Sequence, residues 1–296
     1  MNTDIRIDWQ SGMEITPQTF IELENNTAEY RMMVRKMIAA KNFGIIPRTK
    51  FSISHEIYND TLVIKQIDCD VMLPSGHVAV IESNANISLS IPIKETNELY
   101  LTVELGDKIN NFYRGGVPIA ANEIKLDIKA LSEIRNAIPL LKLVLVNDNW
   151  TVHPSYIMPV MTVRSSVTLL EKLEGLKQEI QKIVDHSHAE FMEDRVLVMV
   201  LLDRLNSFMV DDSLHDLVVL CMNVVTALSY SVYKHKVEMP TPIIMDVEPY
   251  LDALKAFLAD VAVAMNDLKP FVTKVVEEPE PEPEPAPVVD EWMPMI

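Results

Sequence analysis

The residues best suited to chemistry are His186 and His188, followed by Glu190, Glu193 and Asp194. Imidazoles and carboxylates are ligands for zinc and similar divalent cations. Residues two apart on a helix do not share a face, so this pair could hold one ion only if the helix ended there. The run reads as a turn between two helices, and no metal is expected. The remaining histidines, at positions 55, 77, 153, 215 and 235, are scattered, with no His-Glu-x-x-His. Ser75-Gly76 lacks the Gly-x-Ser-x-Gly context of a nucleophile elbow. Arg114-Gly115-Gly116-Val117-Pro118 reads as a turn, and 7 glycines in all leave no Walker loop or dinucleotide fingerprint. Cys69 sits between Asp68 and Asp70, whose charges raise a thiol pKa and blunt its reactivity. Nothing here calls for catalysis, so the expectation is a protein that is not an enzyme and carries no cofactor.

Composition narrows the class further. The chain has 296 residues, 43 acidic against 26 basic, a formal net charge of −17 and 48% apolar residues. That apolar content excludes a wholly disordered chain. The acid excess argues against nucleic acid, which needs a basic face, and against a polybasic membrane contact. The start, MNTDIRIDWQ, has no apolar segment of the kind that exports a protein. The longest unbroken apolar run, 196–202, is far too short to span a bilayer. Cys69 and Cys221 are the only cysteines and build no disulfide framework. A soluble, cytoplasmic protein is expected.

Helical and strand patterns then divide the chain. Thr16 can cap a helix over 14–41, with Pro17 in its first turn and Phe20, Leu23, Tyr30, Met33 and Met37 at helical spacing. From Phe51 to Val163 the pattern is short β-rich runs: 61–67, 71–73, 78–81, 87–91, 99–105, 124–128 and 140–146. Turn residues separate them, and no amphipathic helix intervenes. This predicts an antiparallel sandwich or barrel. After Pro159, Leu169, Leu173, Leu176, Ile180 and Ile183 follow heptad spacing, as do Leu251, Leu254, Leu258, Val261, Met265 and Leu268. Two apolar helices lie between, over about 189–209 and 214–235, the second capped by Asp211-Asp212-Ser213. Pro240-Thr241-Pro242 makes a rigid link, and Asp246 is expected to open the last helix. Four helices predict an up-down bundle. Extra apolar stripes on the middle two predict a second packing surface, such as a neighbouring chain.

Residues 277–296 hold seven acids, six prolines and no base, so removing them takes the net charge from −17 to −10. Alternating Glu-Pro cannot be helical and is expected to form a stiff spacer of roughly 3.1 Å per residue. It ends in an apolar group, Trp292, Met293, Met295 and Ile296, suited to a partner's groove.

The opening resembles that of the TssK family, baseplate adaptors of type VI secretion systems. The resemblance rests on Trp9, Gly12, Met13, Pro17, Gln18 and Phe20, with Thr19 where the family has histidine. Phe43-Gly44, Leu73-Pro74-Ser75-Gly76, Ile138-Pro139-Leu140-Leu141 and Tyr156-Ile157-Met158-Pro159 resemble later family motifs in the same order. The resemblance covers about residues 5–270. It implies an α+β protein with a β-sandwich-like shell domain of the phage receptor-binding-protein shoulder type over 1–163. A four-helix neck bundle over 164–272 follows, and the composition of the residues after it, not the resemblance, gives a disordered acidic tail over 273–296. The resemblance also implies a homotrimer at the cytoplasmic face of the inner membrane, without enzymatic activity. Expected partners are the TssF–TssG wedge on the shell side and the membrane proteins TssL and TssM on the other.

Longer members of the family carry a C-terminal head, whereas 26 residues follow Pro270, too few for a folded head. The expectation is that the tail replaces it as a tether, with Trp292, Met293, Met295 and Ile296 as contact residues. Trp9, Pro17 and Phe20 are read as a helix-start staple on the β domain or as a protomer or wedge contact. The alternative for the whole chain is a phage-derived receptor-binding tail protein with the same shoulder.

Overall fold

Thr16 starts the first element as the sequence predicts. Its hydroxyl accepts from the Thr19 N–H at 3.3 Å, and the Thr19 hydroxyl accepts from the Thr16 N–H at 3.2 Å. This reciprocal pair opens α1, Pro17–Ala39. The computed structural model describes residues 13–47, 51–83, 86–92, 96–114, 117–186 and 195–267.

Among the described residues nine strands follow, all paired antiparallel. β1 (Gly44–Ile45), β2 (Ser52–Tyr58), β4 (Val78–Ser83) and β5 (Ile87–Ser90) gather around β3 (Thr61–Met72). β1 and β2 share one edge of β3, and β4 and β5 share the other. The second sheet runs β7 (Val117–Lys129), β6 (Glu98–Arg114), β8 (Ile138–Val146), β9 (Asn149–Val152). Several runs that read as separate short strands are therefore parts of long ones. β3 takes in 61–67 and most of 71–73, joined across Asp68-Cys69-Asp70, and its apolar positions change parity midway. Leu62 and Ile64 face the core, as do Ile67, Cys69 and Val71. Ser54 pairs with Gln66 but His55 with Ile64, so Lys65 is an extra residue that resets the alternation.

Gly44 turns the chain from α1 into β1 with φ of 112°. A Cβ there would lie 2.2 Å from the Pro159 carbonyl oxygen, so only glycine fits. Ile45 then bonds both ways with the segment before the helices. Its N–H donates to Pro159 O at 2.9 Å, and its carbonyl accepts from Met161 N–H at 3.1 Å.

The helical region comprises α2 (Val167–His186), α3 (Arg195–Asn206), α4 (Leu214–Leu228, continued by a π turn over Ser229–Tyr233) and α5 (Glu248–Asp267). The two predicted heptads are buried wherever they are described. Leu169, Leu173, Leu176, Ile180 and Ile183 meet Leu251, Leu254, Leu258, Val261 and Met265. Each such side chain contributes about 1.5–3 kcal/mol of burial. Ser213 caps α4, accepting from Asp216 N–H at 3.0 Å.

The direction of α5 corrects the up-down expectation. Lys172 near the start of α2 reaches Glu248 and Asp252 near the start of α5, and Gly175 lies beside Lys255. The two helices therefore run parallel. Residues 234–247 return along the bundle first, a span of roughly 46 Å if extended, against about 30 Å for a 20-residue helix. Pro240 and Pro242 keep this return out of helix. One hydrophobic core runs without a break from Ile45 in the sheets to Met265 in α5.

Candidate functional site: exposed helix faces and the junction that orients them

The buried charged residues Lys142, Asp246 and Glu248 lie where the second sheet meets the helices. β6 and β8 are covered on both faces, which brings Tyr100 and Lys142 against the start of α5. Tyr100 donates its hydroxyl to Asp246 Oδ2 at 2.7 Å, and the Lys142 ammonium donates to the same oxygen at 2.8 Å. Lys142 also lies 3.1 Å from Glu98 Oε1 and 5.7 Å from the centre of the Tyr100 ring. Burial works against the Lys142 charge, but its bonds to Asp246 and Glu98 outweigh it and raise the pKa. Tyr156 packs edge-on against Tyr100 and donates to Met245 O at 2.6 Å. Asp246 is thus a buried tie between sheet and bundle and does not open α5, which begins at Glu248. The sequence gives no sign of this, because the partners are 104 and 146 positions away.

Nothing in this cluster resembles a reaction centre. Each ionised group is already bonded to an opposite one, and no nucleophile is activated. Burial pushes the Cys69 thiol up to about 12, with Asp70 and Asp68 adding to it, and pushes Cys221 up to about 12. Among the described residues no group of three His, Cys, Asp or Glu is arranged to hold a metal. His186 is the last described residue of α2, and His188, Glu190, Glu193 and Asp194 lie outside the described residues.

The surface is more informative. Of the residues of α1, only Thr19 and Ala39 are buried. Phe20 is 60% exposed and Met37 71%, and Ile21, Leu23, Tyr30 and Met33 are exposed too. Phe20 therefore does not staple α1 to the β region. A helix this exposed gains little from its own fold, so its apolar side chains suit a partner surface. Met13, Pro17 and Gln18 are also exposed, with Gln18 bonded to Glu22 at 3.0 Å. Trp9, Gly12, Trp292, Met293, Met295 and Ile296 lie outside the described residues.

A second apolar face lies on α3 and α4, as their extra stripes predict. Val198, Leu202 and Leu205 point inward, while Val196 (78% exposed), Leu197 and Val200 point outward with Val219 and Met222. Leu214–Tyr233 is long and apolar enough to cross a membrane, with mean hydropathy 1.5, a feature that counting unbroken apolar runs misses. Half of that stretch is buried in this fold, and the core helix of a soluble protein has the same character.

No protein-family model matches the sequence, and no curated protein is significantly similar to it. Solved structures are similar. The crystal structure of TssK superposes with a TM-score of 0.56 at 14% identity, over 88% of this chain and 69% of that one. The fold is TssK-like. A chain in a cryo-electron microscopy structure of the type VI secretion TssK–TssF–TssG baseplate subcomplex matches with a TM-score of 0.57 at 14% identity. That match spans 89% of this chain and all of the other. A chain of the type VI baseplate complex matches at 0.52 and 15% identity, over 88% of this chain and all of that one.

Proposed function

We propose that this protein is a non-catalytic structural adaptor of a type VI secretion baseplate. The observation that carries this reading is the TssK-like fold over nearly nine-tenths of the chain, seen also in baseplate assemblies. The unpartnered apolar faces of α1 and of α3–α4 support it, since an adaptor is built from surfaces that other chains cover. In this reading residues 1–163 form the shell and 164–272 the neck of a homotrimer. The α3–α4 face joins the copies, and the N-terminal motif of Trp9, Gly12, Met13, Pro17, Gln18 and Phe20 contacts a neighbouring copy or the TssF–TssG wedge. The acidic arm reaches the membrane complex from the cytoplasmic side.

Co-expression with the TssF and TssG of the same secretion system tests the reading. Co-purification of all three, with light scattering giving three times the 33.6 kDa chain mass for the protein alone, is the expected result. A monomer that binds neither protein overturns it. Val196→Asp with Val200→Asp is expected to split the trimer while leaving the helix content unchanged.

A further inference from the structure

Residues 4–9, Asp4-Ile5-Arg6-Ile7-Asp8-Trp9, lie outside the described residues but carry the strict alternation of a half-buried strand. Ile5, Ile7 and Trp9 fall on one face. Asp4, Arg6 and Asp8 fall on the other, with charges minus, plus, minus. A lone strand is not stable in water, so the segment needs an open sheet edge. β7 is the edge of the second sheet, and among the described residues no strand pairs with its outer side. Its alternation is the complement. Ile124, Leu126 and Ile128 pack toward the core, Ile124 and Leu126 only half-buried. Lys125, Asp127 and Lys129 share the opposite face, with charges plus, minus, plus. There Lys125 Nζ lies 2.9 Å from Asp127 Oδ2, and Lys129 Nζ lies 4.0 Å from the same oxygen. No other edge offers this pattern. β2 and β4 carry one acid each, Glu56 and Glu82, and no base, while β5 and β9 carry no charge.

We propose that β7 is the docking edge for residues 4–9, which add to the second sheet as a further strand, on the same copy or an adjoining one. Antiparallel pairing, the arrangement of every described pair of strands, sets Asp4 against Lys129, Arg6 against Asp127 and Asp8 against Lys125. The same register sets Ile5, Ile7 and Trp9 beside Ile128, Leu126 and Ile124. Other registers are penalised. A one-residue slip turns the charges toward the core. A two-residue slip brings Arg6 against a lysine and an aspartate of the segment against Asp127. The added strand completes the cover of Ile124 and Leu126 and closes an edge that would otherwise template other chains. The inference goes beyond the adaptor reading and requires neither TssF nor TssG.

Cysteine pairing in the full chain tests this, since Cys69 and Cys221 are both buried. Arg6→Cys with Asp127→Cys, opposite each other in the proposed register, is expected to form a disulfide under mild oxidation. It should do so about tenfold faster than Arg6→Cys with Glu56→Cys, which aims the same segment at the outer edge of β2. A product of 33.6 kDa puts the strand on its own copy, and one of twice that mass puts it on an adjoining copy; both are the proposed contact. Lys125→Glu with Lys129→Glu is expected to slow the pairing several-fold, and adding Asp4→Lys with Asp8→Lys to restore it. Hydrogen exchange over 121–129 is expected to speed up when residues 2–9 are deleted, a readout that needs no added cysteine. Unchanged circular dichroism shows that the variants are folded. Equal rates for the two cysteine pairs, no recovery on charge exchange, or unaltered hydrogen exchange over 121–129 each overturn the proposal. Because no TssF or TssG is present, failure here leaves the adaptor reading standing.

Discussion

Lys142 on β8 donates to Asp246 over 2.8 Å, joining the second sheet to the segment that enters α5 across 104 positions of sequence. Both side chains are almost fully buried, and Tyr100 donates to the same carboxylate. Leaving one buried charge without its opposite costs about 3–5 kcal/mol, whereas replacing both by apolar groups is often neutral. Asp246→Ala is therefore expected to lower the melting temperature by roughly 10 °C. Lys142→Met with Asp246→Leu should recover most of that loss. A double-mutant cycle by thermal denaturation checks it, and strict additivity of the two changes would mean the pair is not coupled.

Gly44 is the backbone counterpart of that tie. Alanine would have to adopt a left-handed φ and place its Cβ 2.2 Å from Pro159 O. The conformational penalty alone exceeds about 1 kcal/mol, and the clash adds to it by pushing β1 off Pro159–Met161. Gly44→Ala is expected to fold poorly or to unfold at markedly lower urea concentration. Gly175→Ala, in the middle of α2 with its nearest neighbour at 3.4 Å, should be tolerated or stabilising.

Neither thiol should react in the folded chain. With pKa values pushed up to about 12, Cys69 and Cys221 carry about one part in ten thousand thiolate at pH 8. Mass spectrometry after iodoacetamide treatment is expected to show no modification without denaturant and two modifications in urea. Rapid labelling of Cys69 in the folded protein would contradict the burial of β3.

Acid should weaken the fold near neutrality. Burial lowers the pKa of His55, and burial together with Lys36 and Arg35 lowers that of His77. The unfolded chain then binds more protons than the folded one once pH falls below about 6.5. The stability these neutral rings contribute is complete above that value and declines as pH drops through it. Urea midpoints should fall between pH 7.5 and 5.5, and His55→Gln with His77→Gln should flatten that slope.

The sequence by itself determined the elements whose signal is local. Thr16 as a cap, Ser213 as a cap, the two heptads and the apolar stripes of α3 and α4 all follow from side chains a few positions apart, and each is seen. It also determined that no catalytic motif is written in consecutive residues. Strand lengths were not legible, because Asp68 and Asp70 on the outer side of β3 interrupt the apolar run that marks a strand in sequence. The parallel course of α2 and α5 was decided by the tertiary structure, as was the role of Asp246. Heptad spacing is the same in either direction, and a buried charge is stable only beside partners that folding brings from far along the chain. The tertiary structure alone also showed α1 standing clear of the core. An apolar helix reads the same in sequence whether its own chain or another one covers it.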